Sequence, residues 1–155
     1  MTDTHDLWRP HVTVAALAER DGRFLMVEEE ADGALVYNQP AGHLDEGESL
    51  LTAVARETLE ETAWCFEPQA LVGIYRWRHP RNGVTYLRFC FSGVCRDHDP
   101  HRTLDTGIRR ALWLSLSDLV NAAERLRSPL VLRCIEDYLA GARHPLGLLI
   151  DVNGR

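Results

Sequence analysis

The stretch that decides the fold runs from Gly42 to Trp64 and has the sequence GHLDEGESLLTAVARETLEETAW. Its part from Glu48 to Thr62 has no glycine or proline and is rich in helix-forming residues, which predicts an α-helix. Because each helical residue turns by about 100°, the carboxylates of Glu57, Glu60 and Glu61 fall on one side of this helix. The side that we expect to face a hydrophobic core carries Leu51, Ala55, Leu59 and Thr62.

The segment from Asp45 to Glu61 has six carboxylates and a single cation, Arg56, so its negative charge is largely unbalanced. Glu57 and Glu61 are like charges at positions i and i+4, and no basic residue lies three or four positions beyond either of them. Glu60 and Glu61 also lie near the C-terminal end of the helix, where the helix dipole disfavours anions. A bound cation would offset both effects, and oxygen ligands without histidine or cysteine suit Mg²⁺ or Mn²⁺ rather than zinc. The alternative is an ordinary solvated face without a metal.

The composition is that of a globular protein and excludes several classes. The 155 residues suffice for one domain and include 45% hydrophobic and 26% charged residues. A formal net charge of −6 disfavours nucleic acid and anionic membranes as partners. No apolar run reaches the roughly 18 residues of a membrane helix, and the N-terminal residues lack the pattern of a signal peptide. We therefore expect a cytoplasmic protein with reduced cysteines.

Strand and turn signals surround the helix. Six apolar or β-branched segments predict strands, at about 11–18, 23–29, 34–43, 70–78, 84–94 and 108–114. Two further helices are predicted, one after Ser115 or Ser117 and one from Ser128 to about Gly141. This order predicts an α/β (α+β) fold in which helices cover a mixed β-sheet. We expect a single domain over residues 10–150, preceded by a flexible N-terminus over residues 1–9.

The stretch from Gly42 to Trp64 resembles the Nudix box, G-x5-E-x7-R-E-U-x-E-E-x-G-U, in which U is a bulky apolar residue. The positions that match are Gly42, Glu48, Arg56, Glu57, Glu60 and Glu61. The positions that depart are Thr58, Ala63 and Trp64. Because the family has glycine at position 63, we expect Ala63 to end the helix in a left-handed conformation. The segments PHVTVAAL, NQPAGHLDEGE, YLRFCF and LRSPLV further resemble the phosphatase NudJ branch of the Nudix family.

This resemblance implies a fold, a reaction and a cofactor. The fold would be a Nudix α/β/α sandwich with residues 42–64 as its Nudix box. The reaction would be Mg²⁺-dependent removal of terminal phosphate from nucleoside di- and triphosphates and from hydroxymethylpyrimidine diphosphate, a thiamine precursor. The partner would be such a small molecule, bound by a monomer or homodimer. Two alternatives remain open: a Nudix pyrophosphatase for ADP-ribose or damaged nucleotides, and a non-catalytic Nudix-fold module that binds a ligand.

The resemblance also implies roles for individual residues near the helix. The metal ligands would be Glu57, Glu60, Glu61 and the backbone carbonyl of Ala41. Either Glu57 or Glu60 would serve as general base. Arg56 would pair with Glu48 and screen the acids. A further catalytic acid is expected from the loop before the last strand, where Asp105 is favoured among three aspartates, although all three could simply be solvated.

Candidate substrate-binding residues come from the strands around the helix. They are Arg76, Arg88, Tyr37, Gln39 and Glu28. Arg76 and Arg88 would bind phosphate, and strand alternation places Arg76 on the same face as Val72 and Ile74. Tyr37 would stack on a base, and Gln39 would bind the edge of that base. Solvated, packing or turn roles for these residues remain open.

Overall fold

The computed structural model describes residues 7–152, in which seven strands and three α-helices follow one another. The strands are β1 His11–Arg20, β2 Arg23–Ala31, β3 Ala34–Asn38, β4 Ala41–His43, β5 Cys65–Arg78, β6 Thr85–Arg96 and β7 Ile108–Ser115. The helices are α1 Leu50–Thr62, α2 Leu116–Asn121 and α3 Leu130–Leu139, with short 3-10 turns at Ala123–Arg125 and Leu146–Leu148. Residues 7–9 are exposed and precede β1, and the rest of the predicted flexible segment 1–9 lies outside the described residues.

All six predicted strand segments are extended, with two differences in their bounds. Segment 34–43 forms two strands, β3 and β4, because the chain bends at Pro40. Pro40 has no N–H to donate to a strand, and its carbonyl accepts a hydrogen bond of 2.9 Å from the Ala16 N–H. The other difference is that β5 begins at Cys65, five residues before the predicted start.

The strands form one mixed sheet with β1 near its centre. The strand order is β3-β2-β1-β6-β5, with β4 also pairing with β1 and β7 also pairing with β2. β1 and β6 run parallel, whereas the other paired strands run antiparallel. The residues of β1 from Val14 to Ala18 are buried, as expected for a strand that is covered on both faces.

Helices cover both faces of this sheet. On one face, the buried cluster joins the sheet to Leu119 of α2 and Val131 of α3. On the other face, a second buried cluster joins the sheet to Ala53 and Val54 of α1. The predicted α/β/α sandwich with a mixed sheet is therefore confirmed. None of the helices within residues 7–152 is long and apolar enough to cross a membrane.

α1 begins and ends near the predicted residues but buries a different side. Ser49 caps its start by accepting a hydrogen bond of 3.1 Å from a first-turn amide, and Ala63 ends it in the predicted left-handed conformation, with φ of 61°. The buried residues of α1 are Ala53, Val54, Glu57, Thr58, Glu61 and Thr62. The predicted core-facing side is correct for Thr62, which is buried, and for Leu51, which packs against the core. It is wrong for Ala55 and Leu59, which are only half-buried, because Glu57 and Glu61 lie on the side that packs against the sheet.

A β-bulge in β5 moves the residues after it to the opposite face of the sheet from the one predicted by simple alternation. The pairing of β5 with β6 shifts by one residue between Leu71 and Gly73, so Val72 forms a β-bulge. As a result, Val72 is 2% exposed whereas Ile74 is 56% exposed. Arg76 therefore shares a face with Ile74, as predicted, whereas the prediction that it also shares a face with Val72 is wrong.

Candidate active site

α1 meets the sheet at β4, where the chain has a glycine. Gly42 pairs with Val14 of β1, which places it beside the helix. The Glu57 carboxylate occupies the space where a side chain at position 42 would lie, so a Cβ there would overlap it. Gly42 thus allows Glu57 to reach the edge of the sheet. The neighbouring N–H of Ala41 donates a hydrogen bond of 2.9 Å to the Glu61 carboxylate.

Three carboxylates converge at this point, and we call them the acidic centre. Carboxylate oxygens of Glu57, Glu60 and Asp105 all lie within 4.8 Å of one another. The loop between β6 and β7 brings Asp105 there, because the Asp105 N–H donates a hydrogen bond of 3.0 Å to the Glu60 carbonyl. That bond also satisfies a carbonyl at the end of α1 that has no helical partner. The grouping therefore includes Asp105, expected as a further acid, whereas the predicted ligand Glu61 lies outside it.

Arg56 holds two of these carboxylates and the segment before the helix. Its Nη1 donates to Glu57 at 2.9 Å and to Glu60 at 3.1 Å. Its Nε and Nη2 donate to the two oxygens of Glu48 at 3.0 and 2.6 Å, and Nη2 also donates to the His43 carbonyl at 3.1 Å. The Arg56–Glu48 pair thus forms as predicted. Glu57 is nevertheless not unpaired as the sequence argument assumed, because Arg56, which precedes it, donates to both Glu57 and Glu60.

The electrostatics of the acids still favour a bound cation. Burial raises the pKa of Glu57 despite the hydrogen bond from Arg56, and the charges of Glu60 and Asp105 add to the rise. Burial also raises the pKa of Glu61 to about 9, and its backbone hydrogen bond opposes only part of that rise. Each rise means that the protein alone stabilises the charge poorly. Hard carboxylate oxygens at this spacing suit Mg²⁺ or Mn²⁺.

A cavity of about 160 Å³ is lined by Ala41 and Gly42 of β4 and by Arg88 of β6. Gly42 connects it to the acidic centre, because the Glu57 carboxylate lies against this glycine. Arg88 is 7% exposed. Its Nη atoms donate to the amide oxygens of Gln39 at 3.2 Å and Asn38 at 3.4 Å. Within residues 7–152, no carboxylate forms an ion pair with Arg88. A buried guanidinium whose protein partners are neutral is well suited to an anionic ligand.

Two other predicted substrate residues lie in different places: Gln39 lies beside Arg88, and Arg76 lies on the opposite face of the sheet. Gln39 is 1% exposed, and its Nε2 donates to the Val131 carbonyl at 2.8 Å. Gln39 thus orients Arg88 and is too buried to bind the edge of a base. Arg88 pairs with Tyr75, the residue before Arg76, so the two arginines lie on opposite faces of the sheet. Of the two arginines expected to bind phosphate, Arg88 therefore lines the cavity and Arg76 does not.

Glu28 and Tyr37 belong to a separate polar network. Glu28 is buried and accepts hydrogen bonds from Arg110 at 3.1 Å and from Arg125 at 3.0 Å. Burial disfavours the charge of Glu28, but these hydrogen bonds outweigh burial and lower its pKa. The guanidinium of Arg125 lies 4.6 Å from the centre of the Tyr37 ring and covers one face of it. Neither residue lines the cavity, so their placement does not match the predicted roles in substrate binding.

Sequence reasoning missed several residues of the cavity lining, namely Glu29, Asn38, Trp77, His79 and Arg127. Glu29 accepts a hydrogen bond of 3.2 Å from Asn38 and lies 3.5 Å from Arg127. It directly follows Glu28, and strand alternation places the two carboxylates on opposite faces of β2. The sequence feature that could have predicted the aromatic side of the cavity is Trp77, which lies between two arginines at the end of β5.

Comparisons with known proteins agree with this geometry. The NUDIX domain family matches residues 7–133. The phosphatase NudJ of Escherichia coli (strain K12) is 39% identical over 147 residues, which cover 95% of each chain. A solved NUDIX hydrolase from Nitrosomonas europaea is 51% identical and superimposes with a TM-score of 0.93, over 95% of this chain and 100% of that chain. The NUDIX domain of Shewanella oneidensis NrtR, solved with ADP ribose, shares the fold, with a TM-score of 0.68 at 18% identity over 89% of this chain and 92% of that chain. The chain therefore belongs to the Nudix family and is a hydrolase of anhydride bonds in phosphorus-containing compounds.

Proposed function

We propose that this Nudix hydrolase is a metal-dependent phosphatase that releases orthophosphate from the end of a diphosphate or triphosphate. Its substrates are nucleoside di- and triphosphates and hydroxymethylpyrimidine diphosphate. Similarity to the phosphatase NudJ, which extends over 95% of both chains, supports this reaction. The observation that carries the proposal is the acidic centre beside a cavity whose buried arginine has no carboxylate partner among residues 7–152.

In this proposal the acidic centre holds the metal. Glu57, Glu60 and Asp105 would bind Mg²⁺, or alternatively Mn²⁺, and Glu61 and the Ala41 carbonyl are further expected ligands. The bound ion would activate water and neutralise phosphate charge. A cation bound there would offset the burial and mutual repulsion that raise the pKa of Glu57.

Arg56 prepares the acids for the reaction. It fixes the carboxylates of Glu57 and Glu60, and its hydrogen bonds with Glu48 raise its own pKa, so it stays charged. Either Glu57 or Glu60 would take the proton of the attacking water.

Arg88 binds the phosphates in this proposal. Its planar guanidinium can direct two N–H groups at two phosphate oxygens, and Gln39 holds it in position. Binding through phosphate leaves the base with little influence on alignment, so the terminal phosphorus is the one presented to the water. The same geometry makes the enzyme tolerant of different bases.

We also propose that the enzyme is cytoplasmic and acts as a monomer or homodimer on small molecules, without nucleic acid. The four cysteines, Cys65, Cys90, Cys95 and Cys134, are free, which suits a reducing compartment. The net charge of −6 supports small-molecule rather than nucleic-acid partners.

Product analysis tests the proposal. Purified protein is incubated with GTP or with hydroxymethylpyrimidine diphosphate, in Mg²⁺, in Mn²⁺ or in chelator. Early products are separated by chromatography, and orthophosphate and pyrophosphate are assayed in parallel. We expect GDP and orthophosphate first and GMP later, with no turnover in chelator. Pyrophosphate and GMP without GDP would instead identify a Nudix pyrophosphatase of other specificity, and binding without turnover would identify a ligand-binding module.

A further inference from the structure

Three aromatic side chains on the β5–β6 hairpin have no role in the site described so far. Trp77 and Tyr86 are paired directly across the two strands, with ring centres 5.9 Å apart and ring planes inclined by 25°. His79 packs against Trp77 with a ring-centre separation of 5.2 Å. We call Trp77, His79 and Tyr86 the aromatic platform. Trp77 and Tyr86 are half-buried and belong to neither of the two hydrophobic clusters, so they are not explained by the core.

Contacts within the hairpin fix the platform in place. The His79 N–H donates to the Val84 carbonyl at 2.8 Å, and the His79 Nδ1 accepts from the Arg81 amide at 3.2 Å. The ring of His11 packs edge-on against Tyr86 at 5.6 Å between ring centres. Rings that are already ordered lose little entropy when a ligand arrives, which favours binding.

The platform forms part of the wall of the cavity that contains Arg88. Tyr86 lies two residues before Arg88 on the same face of β6, a separation of roughly 7 Å along the strand. A second, larger cavity of about 540 Å³ also borders Trp77 and His79. An aromatic ring roughly 7 Å from a phosphate bound at Arg88 would therefore reach the platform, with open space beyond.

We propose that the aromatic platform binds the planar heteroaromatic ring of the substrate by stacking. This inference rests on the proposed function, because it takes the phosphate of the same substrate to lie at Arg88. Every nucleobase and every pyrimidine presents an aromatic face, so stacking accepts many bases without selecting one. The platform selects phosphate compounds that carry an aromatic ring against those that carry none.

Binding measurements on the full-length protein test the inference without turnover. Isothermal titration in chelator compares GMP with ribose 5-phosphate, which has the same phosphate and sugar but no base. We expect the wild-type protein to bind GMP roughly five- to 100-fold more tightly, as stacking on an aromatic side chain predicts. Trp77→Ala should weaken the binding of GMP to the level of ribose 5-phosphate, and Trp77→Phe should restore most of the preference. Trp8→Ala is the matched control, because Trp8 is 71% exposed and should leave both affinities unchanged.

Each outcome bears on the inference or separately on the proposed function. Equal binding of the two ligands by the wild-type protein, undetectable binding of GMP, or an unchanged preference in Trp77→Ala would overturn the platform. A Trp77→Ala variant that loses both ligands equally would overturn it as well, because the aromatic pair would then only support the hairpin. Failure of the proposed function would appear in a different assay, as release of pyrophosphate from GTP. The preference for GMP over ribose 5-phosphate could still be measured in that case.

Discussion

The acidic centre and the cavity around Arg88 are neighbours, yet the sequence encodes them in different ways. The acidic centre depends mainly on spacing within α1, where residues three or four apart lie on the same side. The cavity instead depends on which residues of six strands lie side by side after folding. In a strand, one extra residue moves the later side chains to the other face, as it does after Val72. Helical spacing is therefore a more dependable guide to a site than strand alternation.

The largest effect should come from breaking the acidic centre with Glu60→Gln. We expect activity to fall roughly 100-fold or more, because a bound metal stabilises the transition state by several kcal/mol. The fold should survive, since Glu60 is half-buried and the change removes repulsion between acids. Turnover of GTP and thermal unfolding of the metal-free protein measure the two effects.

Glu46→Gln is the matched control for that experiment. Glu46 belongs to the same segment but is exposed and lies outside the acidic centre, so we expect activity within about twofold of wild type. If metal-free Glu60→Gln unfolded at a much lower temperature than Glu46→Gln, the acid would serve mainly to hold the structure together.

The two arginines of the hairpin provide the second test. Arg88→Gln should lower kcat/KM for GTP roughly 10- to 100-fold, because a hydrogen bond to a charged group contributes about 1.5–3 kcal/mol. Arg76→Gln should change it little, because Arg76 is exposed on the opposite face. Equal losses in the two variants would mean that the substrate does not lie in the cavity beside β4. Circular dichroism on both variants controls for misfolding of the buried position.

Particular residues show how much the sequence could predict. The Arg56–Glu48 pair and the left-handed Ala63 lie within a local motif, and both are present as predicted. Asp105 was also anticipated, but from the family resemblance, and only the structure shows that the loop between β6 and β7 returns it to the end of α1. The buried side of α1 was not anticipated, because apolar residues were assumed to face the core. The structure instead buries Glu57 and Glu61 there, against the edge of the sheet.

The substrate side was predicted less well because its contacts are long-range. Glu28 and Glu29 are adjacent in sequence, and only the pairing of β2 with its neighbours decides which of them faces the cavity. Tyr37 was a reasonable aromatic candidate, but Arg125 covers it from a distant turn. Trp77 lines the cavity because the pairing of β5 with β6 shifts by one residue between Leu71 and Gly73. The alternation of apolar and polar residues in the sequence does not predict this shift.

Glu61→Gln measures what burial of an acid on α1 costs the metal-free protein. The pKa of Glu61 rises from 4.5 to about 9 on folding, so between these values the folded chain holds a proton that the unfolded chain has lost. The free energy of unfolding of the wild-type protein should therefore fall as the pH rises through this range. We expect Glu61→Gln to be more stable by roughly 1–3 kcal/mol near pH 8 and nearly equal near pH 4.5, since one pKa unit corresponds to about 1.4 kcal/mol. Urea unfolding in chelator measures this, and a difference that is constant with pH would contradict it.

The smallest expected effect concerns Ala63, which occupies the position where the Nudix box has glycine. Its φ of 61° is left-handed, which costs a residue with a Cβ roughly 1–2 kcal/mol. Removing the methyl group relieves that strain but gives up about 0.8 kcal/mol of burial, since Ala63 is 2% exposed. We therefore expect Ala63→Gly to raise the free energy of unfolding by about 0.5 kcal/mol. Ala55→Gly, inside α1, should lower it by about 1 kcal/mol, so the two identical changes should have opposite signs. Urea unfolding of both variants resolves the signs, and a loss of stability in both would mean that the left-handed end of the helix carries no strain that glycine can relieve.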